Sequence, residues 1–173
     1  TNNSLTHIFS AGNSGTATPN TGNYTGIAGY SNLTGNFKQA KNVITVGHID
    51  SFGIILAPSS KGPAYDGRVK PELVAFGEDG SSGATALVSG VAAVLHHAYK
   101  EKTNGTVATA SLIKAVLLNS ADDAGPVGID FQSGYGSMNA CKAVNSILSG
   151  RYFQGAVSNN TQQQFSISIP AGI

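Results

Sequence analysis

The sequence is poor in charge, in cysteine and in long apolar runs, and each shortage excludes a class of protein. Only 11% of its 173 residues are charged and the net charge is +1. Since Lys and Arg form no cluster, the chain lacks the basic surface that nucleic acids or anionic membranes require. The single cysteine, Cys141, excludes an internal disulfide and a cysteine-based metal site. No apolar run reaches the roughly 20 residues that span a bilayer.

What the sequence does contain is glycine (22 residues) and a 40% hydrophobic fraction, with abundant Ser, Thr and Asn. This composition is typical of an exported domain with many loops, and it argues against disorder. We therefore expect a secreted or cell-envelope protein of bacterial origin. Cys141 lies beside Ala140 in an apolar helical pattern, which predicts a buried position for its thiol.

Strand-like and helix-like segments alternate through most of the chain. Strands are predicted within 5–9, 42–47 and 70–75, with a further short apolar run at 54–56. Helices are predicted after the turn that begins at Gly80 and on to about Tyr99, from Thr109 onward, and over 138–148. A Gly/Asn/Thr-rich surface loop occupies 16–36. The alternation predicts an α/β fold with a mostly parallel sheet flanked by helices.

Beyond Arg151 the pattern changes to the alternation of residues 165–169, which is typical of a half-exposed antiparallel strand. We therefore divide the chain into a domain over residues 1–150 and the beginning of a β-rich domain over residues 151–173.

Residues 80–95 form the most unusual stretch, a turn of small residues that leads into a helix apolar on every side. Such a helix is expected in the interior of a domain. A serine in its first turn can serve simply as an N-cap. It can equally hold a nucleophile or an anion, because unpaired N–H groups and the positive end of the helix dipole point outward there.

Several segments carry a resemblance to a known family. They read FSAGNSG (9–15), NVITVGH (42–48), SSKGP (59–63), DGRVKPELVA (66–75), GSSGATALVSG (80–90) and GYGSMNACKAV (134–144). In the same order they resemble the A-A-G-N-x-G, V-I-x-V-G-A, S-S-x-G-P, D-G-R-x-K-P, G-T-S-M-A and G-Y-G-x-x-N-A segments of the subtilisin-like serine proteases, or subtilases. The resemblance extends over nearly all of residues 6–147, and D-G-R-x-K-P is its most specific part.

The resemblance implies a catalytic role for two residues. Ser82 would be the nucleophile, and the Asn13 side-chain amide would stabilise the oxyanion together with the Ser82 backbone N–H. Five further residues would line the substrate site: Ser10, Ala11, Gly12, Gly80 and Ser81. The family needs no cofactor for its chemistry; it often binds calcium, but no metal site can be assigned in this sequence.

Three departures from the family pattern affect these expectations. The family's triad Asp and His precede the Asn segment, so we expect them outside this chain and expect the fragment alone to be inactive. None of the four histidines lies in the family's H-G-T context. Gly83, Ala86 and Leu87 replace the usual Met, Pro and His, and the segment before Gly80 is shorter than usual.

Two functions remain open from the sequence. One is a serine endopeptidase, present as a fragment that acts on polypeptide substrates and associates with its missing N-terminal half or with itself. The alternative is a non-catalytic subtilase-like scaffold or binding module. Neither reading includes a nucleic-acid partner or a membrane span.

Overall fold

Three short strands and three helices make up the regular structure of residues 3–168, the part described by this computed structural model. The strands are β1 (Ile8–Ser10), β2 (Ile44–Ile49) and β3 (Leu73–Phe76). The helices are α1 (Ser81–Lys102), α2 (Ala110–Asn119) and α3 (Ala140–Ser149), and a 3-10 turn (Phe37–Gln39) precedes β2.

The sheet is parallel throughout, with strand order β1-β2-β3. Ile8 lies opposite Ile44, and Val46 lies opposite Leu73. The predicted α/β fold with a parallel sheet is confirmed. β1 is only half-buried, because within the described residues β2 alone pairs with it.

The core lies between the sheet and α1, which packs along all three strands and against α2 and α3. Its central side chains are Ile44, Val46, Leu73, Val88, Leu95, Ile113, Leu117 and Ile147. On the opposite face of the sheet, loops replace helices: a Cβ on Gly47 would come 2.8 Å from Ser59 Oγ and 3.2 Å from Pro71 Cγ. Helices therefore flank one face of the sheet.

One side of α1 is exposed, although its sequence predicted burial on every side. Leu87 is 46% and Val94 52% exposed, and Gly90 between them is also exposed. These three residues occupy one side of the helix, and we call them the apolar strip of α1. The prediction was wrong for this side because the described sheet and helices cover only the other one.

The helix ends follow the predicted signals. The Thr109 hydroxyl accepts a hydrogen bond from Leu112 N at the start of α2, and Gly150 ends α3 with a φ of 68°. Cys141, however, is exposed, because α3 turns Ala143 and Ile147 toward the core instead. Residues 165–168 form no strand, and Ile169 lies outside the described residues.

A buried charge cluster connects β2, β3 and α2. Lys70 is fully buried, and its ammonium lies 2.6 Å from Glu72 Oε1 and 3.1 Å from Thr45 Oγ1. Lys114 of α2 approaches the same Glu72 oxygen at 2.7 Å, and the other oxygen accepts from Thr45 N at 2.7 Å. Burial lowers the pKa of Lys70, and the Glu72 carboxylate opposes that shift. The cluster gives the D-G-R-x-K-P segment a structural role.

Glu72→Gln should therefore be strongly destabilising. It leaves the buried Lys70 ammonium uncompensated, which costs about 3–5 kcal/mol in comparable cases. Chemical denaturation measures the decrease in the free energy of unfolding. Asp66→Asn is the matched control because it breaks the exposed Asp66–Arg68 pair, worth less than about 1 kcal/mol. Equal losses in the two variants would contradict this account of the cluster.

Burial of two histidines should make stability depend on pH. His48 is 2% exposed, and burial lowers its pKa, as it does that of His96, below the usual 6.5. The unfolded chain takes up these protons near pH 6.5, whereas the folded chain resists protonation until lower pH. The free energy of unfolding should therefore fall as the pH drops below about 6.5.

Urea denaturation between about pH 7.5 and about pH 5 tests this pH dependence. His48→Leu should reduce the slope and leave the part that His96 contributes. A slope as steep in His48→Leu as in the unaltered chain would assign the effect to other groups.

Candidate functional site

The candidate site lies where the chain leaves β1 and where α1 begins. Both places are at the carboxyl end of the parallel sheet, where the loops after β1 and β3, the two neighbours of β2, lead. Asn13 follows β1 by three residues, and Gly80 immediately precedes the first residue of α1. Ser81 N donates a hydrogen bond to Asn13 Oδ1 at 3.0 Å and thereby joins the two segments.

The side chain of Ser81 strengthens this junction. Its hydroxyl donates to Asn13 Oδ1 at 2.9 Å and accepts from Gly12 N at 3.1 Å. Ser81 is 1% exposed, so its side chain faces the protein interior. The sequence placed Ser81 among the substrate-lining residues; the structure instead makes it a support for Gly12 and Asn13.

These contacts fix the orientation of the Asn13 amide. A backbone N–H can only donate, so the Asn13 atom facing Ser81 N is the carbonyl oxygen. Asn13 is exposed, and its Nδ2 has no acceptor within residues 3–168. Gly80 has a φ of 81°, and a Cβ there would lie 2.8 Å from Asn13 Nδ2. Only glycine therefore fits beside the amide without strain.

Ser82 occupies the first turn of α1 and is exposed. Its hydroxyl forms no hydrogen bond with any described residue. At this position the first N–H groups of a 22-residue helix lack intrahelical partners and carry the positive end of the dipole. An exposed hydroxyl and unpaired backbone N–H groups therefore lie together at the start of α1, which suits a negatively charged oxygen, and Ser81 joins Asn13 to this start.

The other predicted substrate residues differ in accessibility. Ser10 and Gly80 are partly exposed, whereas Ala11 and Gly12 are buried. A Cβ on Gly12 would come within 2.4 Å of Thr34 Oγ1, and Ala11 O already accepts from Thr34 N at 3.0 Å. Ala11 and Gly12 therefore shape the site through their backbone and not through their side chains.

Sequence reasoning missed three charged residues near the site. Lys38 donates to Thr34 Oγ1 at 2.6 Å, on the side of Gly12. Glu78 and Asp79 are exposed just before Gly80. A usable signal existed for Lys38, because residues 1–37 contain no Asp, Glu, Lys or Arg and Lys38 is the first of these in the sequence.

No base is hydrogen-bonded to Ser82 among the residues that the structure describes. His48 is buried in β2, and His96 Nε2 lies 3.1 Å from Thr6 Oγ1. Over the same residues, no group of three or more His, Cys, Asp or Glu side chains could hold a metal ion. None of the helices over residues 3–168 is long and apolar enough to cross a membrane.

Comparison with known proteins decides the family. The family model described as the subtilase family, Peptidase S8, matches residues 1–136. The chain belongs to the subtilase family. The matched part of this subtilase chain contains both Asn13 and Ser82, and the resemblance noted in the sequence is confirmed.

Solved structures of maturation proteases have the same fold. The prenylagaramide maturation protease PagA is 26% identical, with a TM-score of 0.62 over 83% of this chain and 50% of that protein. The patellamide maturation protease PatA is 26% identical, with a TM-score of 0.59 over 82% and 50%. A lanthipeptide protease, 20% identical with a TM-score of 0.59, shows the fold alone. The subtilase chain spans about half the length of these proteins.

Adjacent serines of this subtilase should respond differently to substitution. Ser81→Ala removes the acceptor for the buried Gly12 N–H and one donor to Asn13, so it should cost about 1–3 kcal/mol of stability. Ser82→Ala removes an exposed hydroxyl without a partner and should change stability by less than about 0.5 kcal/mol. Chemical denaturation compares the two. Ser81→Thr keeps the hydroxyl and should restore most of the loss; equal effects at both serines would contradict the described contacts.

Proposed function

We propose that this chain is part of a serine endopeptidase in which Ser82 attacks the scissile carbonyl and Asn13 stabilises the resulting oxyanion. The observation that carries the proposal is the Asn13 amide, which Ser81 holds through its oxygen at the start of α1, so that its Nδ2 remains free to donate a hydrogen bond. A preorganised amide of this kind acts where negative charge develops.

The reaction would proceed through an acyl-enzyme. Ser82 Oγ would bond to the carbonyl carbon as its proton passes to a base, and the carbonyl oxygen would gain negative charge. Asn13 Nδ2 and the Ser82 backbone N–H would donate to that oxygen. Collapse would release the amine half of the peptide, and water would then hydrolyse the ester. Loss of an equivalent amide donor in a subtilisin lowers turnover on the order of 10²–10³-fold.

The base and its orienting acid would come from a second polypeptide segment that carries the family's His and Asp. Two surfaces support this part of the proposal. β1 has an unpaired edge in the described sheet, and the apolar strip of α1 exposes Leu87 and Val94. Unpaired edges and exposed apolar patches are typical of docking surfaces. This chain covers only 50% of each of two neighbours, which favours the complementary half of the catalytic domain over a second copy.

The proposed activity further implies that the chain alone is inactive and that the intact protein is exported, in keeping with its low charge of 11%. Chemistry at Ser82 needs no cofactor in this scheme; bound calcium would have a structural role only.

Labelling with a fluorophosphonate probe tests the nucleophile. The chain reconstituted with the complementary half should be labelled, the chain alone should not, and Ser82→Ala should abolish labelling. Ser89→Ala, an exposed serine two turns along α1, is the matched control and should label normally. Labelling that persists in Ser82→Ala would overturn the assignment. No labelling under any condition would favour the non-catalytic scaffold.

Val94→Asp tests the docking surface. It places a charge on the apolar strip and should abolish association with the complementary half while the chain itself remains folded, because Val94 is 52% exposed. Asn145→Asp, an exposed position on α3, is the control. Analytical ultracentrifugation measures association. Undiminished binding by Val94→Asp would exclude the strip, and a homodimer of the chain alone would favour self-association.

A further inference from the structure

Lys38 holds a positive charge close to the backbone that leads into Asn13. Its Nζ donates to Thr34 Oγ1 at 2.6 Å. The Thr34 side chain in turn abuts Gly12, because a Cβ on Gly12 would come within 2.4 Å of Thr34 Oγ1, and Thr34 N donates to Ala11 O at 3.0 Å. The Lys38 ammonium is thus linked to Gly12 through the Thr34 side chain.

No carboxylate neutralises this charge. Lys70, Lys114, Lys142 and Arg68 all form ion pairs, whereas Lys38 has no acidic partner within residues 3–168. Lys38 is partly buried, and burial lowers its pKa. An ammonium has three donors, and within residues 3–168 the Lys38 ammonium has one described partner, Thr34 Oγ1. Lys38 remains partly exposed, so a ligand can reach it.

The geometry of the proposed reaction determines which part of a substrate would meet Lys38. The attacked carbonyl must lie between Ser82 Oγ and Asn13 Nδ2. The side chain of the same substrate residue would then extend beside Ser10–Gly12, where the family resemblance places the primary specificity pocket. Thr34 and Lys38 border this backbone on the Gly12 side.

We propose that Lys38 makes the site select peptides with Asp or Glu at the residue whose carbonyl is attacked. This inference rests on the proposed function and adds its substrate class. A carboxylate there would form a charge-assisted hydrogen bond with a partly desolvated ammonium, and a basic side chain would be repelled. The run of uncharged residues from 14 to 37 contributes no competing acid.

Glu78 and Asp79 lie next to the start of α1. Both are exposed, and Asp79 Cβ would be 3.8 Å from a Cβ on Gly83. Their carboxylates also act on charged side chains of a substrate. Test peptides must therefore be uncharged everywhere except at the residue being varied.

The experiment compares peptides that differ only in Glu, Gln or Lys at the attacked residue, cleaved by the chain reconstituted with its complementary half. Glu and Gln have the same shape, so the ratio of their kcat/KM values isolates the charge. The unaltered protein should prefer Glu by roughly tenfold to a hundredfold, the range expected for one charge-assisted hydrogen bond. Lys38→Met should bring the ratio close to one, and Lys38→Arg should retain a preference for Glu.

Two further variants complete the test. Lys38→Glu should reverse the preference, so that the Lys peptide is cleaved faster than the Gln peptide. Lys41→Met, which removes an exposed lysine of the same segment, should leave the Glu/Gln ratio unchanged. Cleavage without preference for Glu, or a preference that survives Lys38→Met, would overturn this inference and leave the proposed peptidase standing. Absence of both cleavage and fluorophosphonate labelling would overturn both.

Discussion

The contact between Asn13 and Ser81 is the constraint on which the site depends. It joins the end of β1 to the beginning of α1 through two hydrogen bonds to one oxygen, and a third bond holds Gly12. Since all three involve Ser81, one small buried side chain fixes both the strand exit and the helix entry. The outward direction of the Asn13 Nδ2 and the exposure of Ser82 follow from that arrangement.

The sheet keeps this junction in place. Three parallel strands end at the same edge, and α1 crosses all of them. The charge cluster of Lys70, Glu72 and Lys114 links β2, β3 and α2, although a buried ammonium is unfavourable without its partner. The hydrogen bonds of this cluster form only when β2, β3 and α2 are aligned as observed. The cluster therefore favours the observed strand register over shifted ones.

The open surfaces of the molecule have a shared cause. The apolar strip of α1 and the unpaired edge of β1 lie where the described sheet provides no cover. The sequence encodes a helix suited to burial on all sides, and the structure buries one side. The exposed apolar side of α1, which its sequence suits for burial, is the strongest argument for a polypeptide partner. The same helix carries Ser82.

The sequence by itself determined the family, the parallel α/β fold, and the helix caps at Thr109 and Gly150, and it predicted Asn13 and Ser82 as site residues. These depend on local patterns: alternation of apolar residues, capping side chains and short motifs. Only the tertiary structure decided that Ser81 faces inward, that Cys141 is exposed, that α1 keeps an apolar strip, and that Lys38 borders Gly12. Each of these depends on which distant segments cover a side chain, and local sequence patterns carry no signal of that; Ser81, for example, contacts Gly12 across 69 positions of the chain.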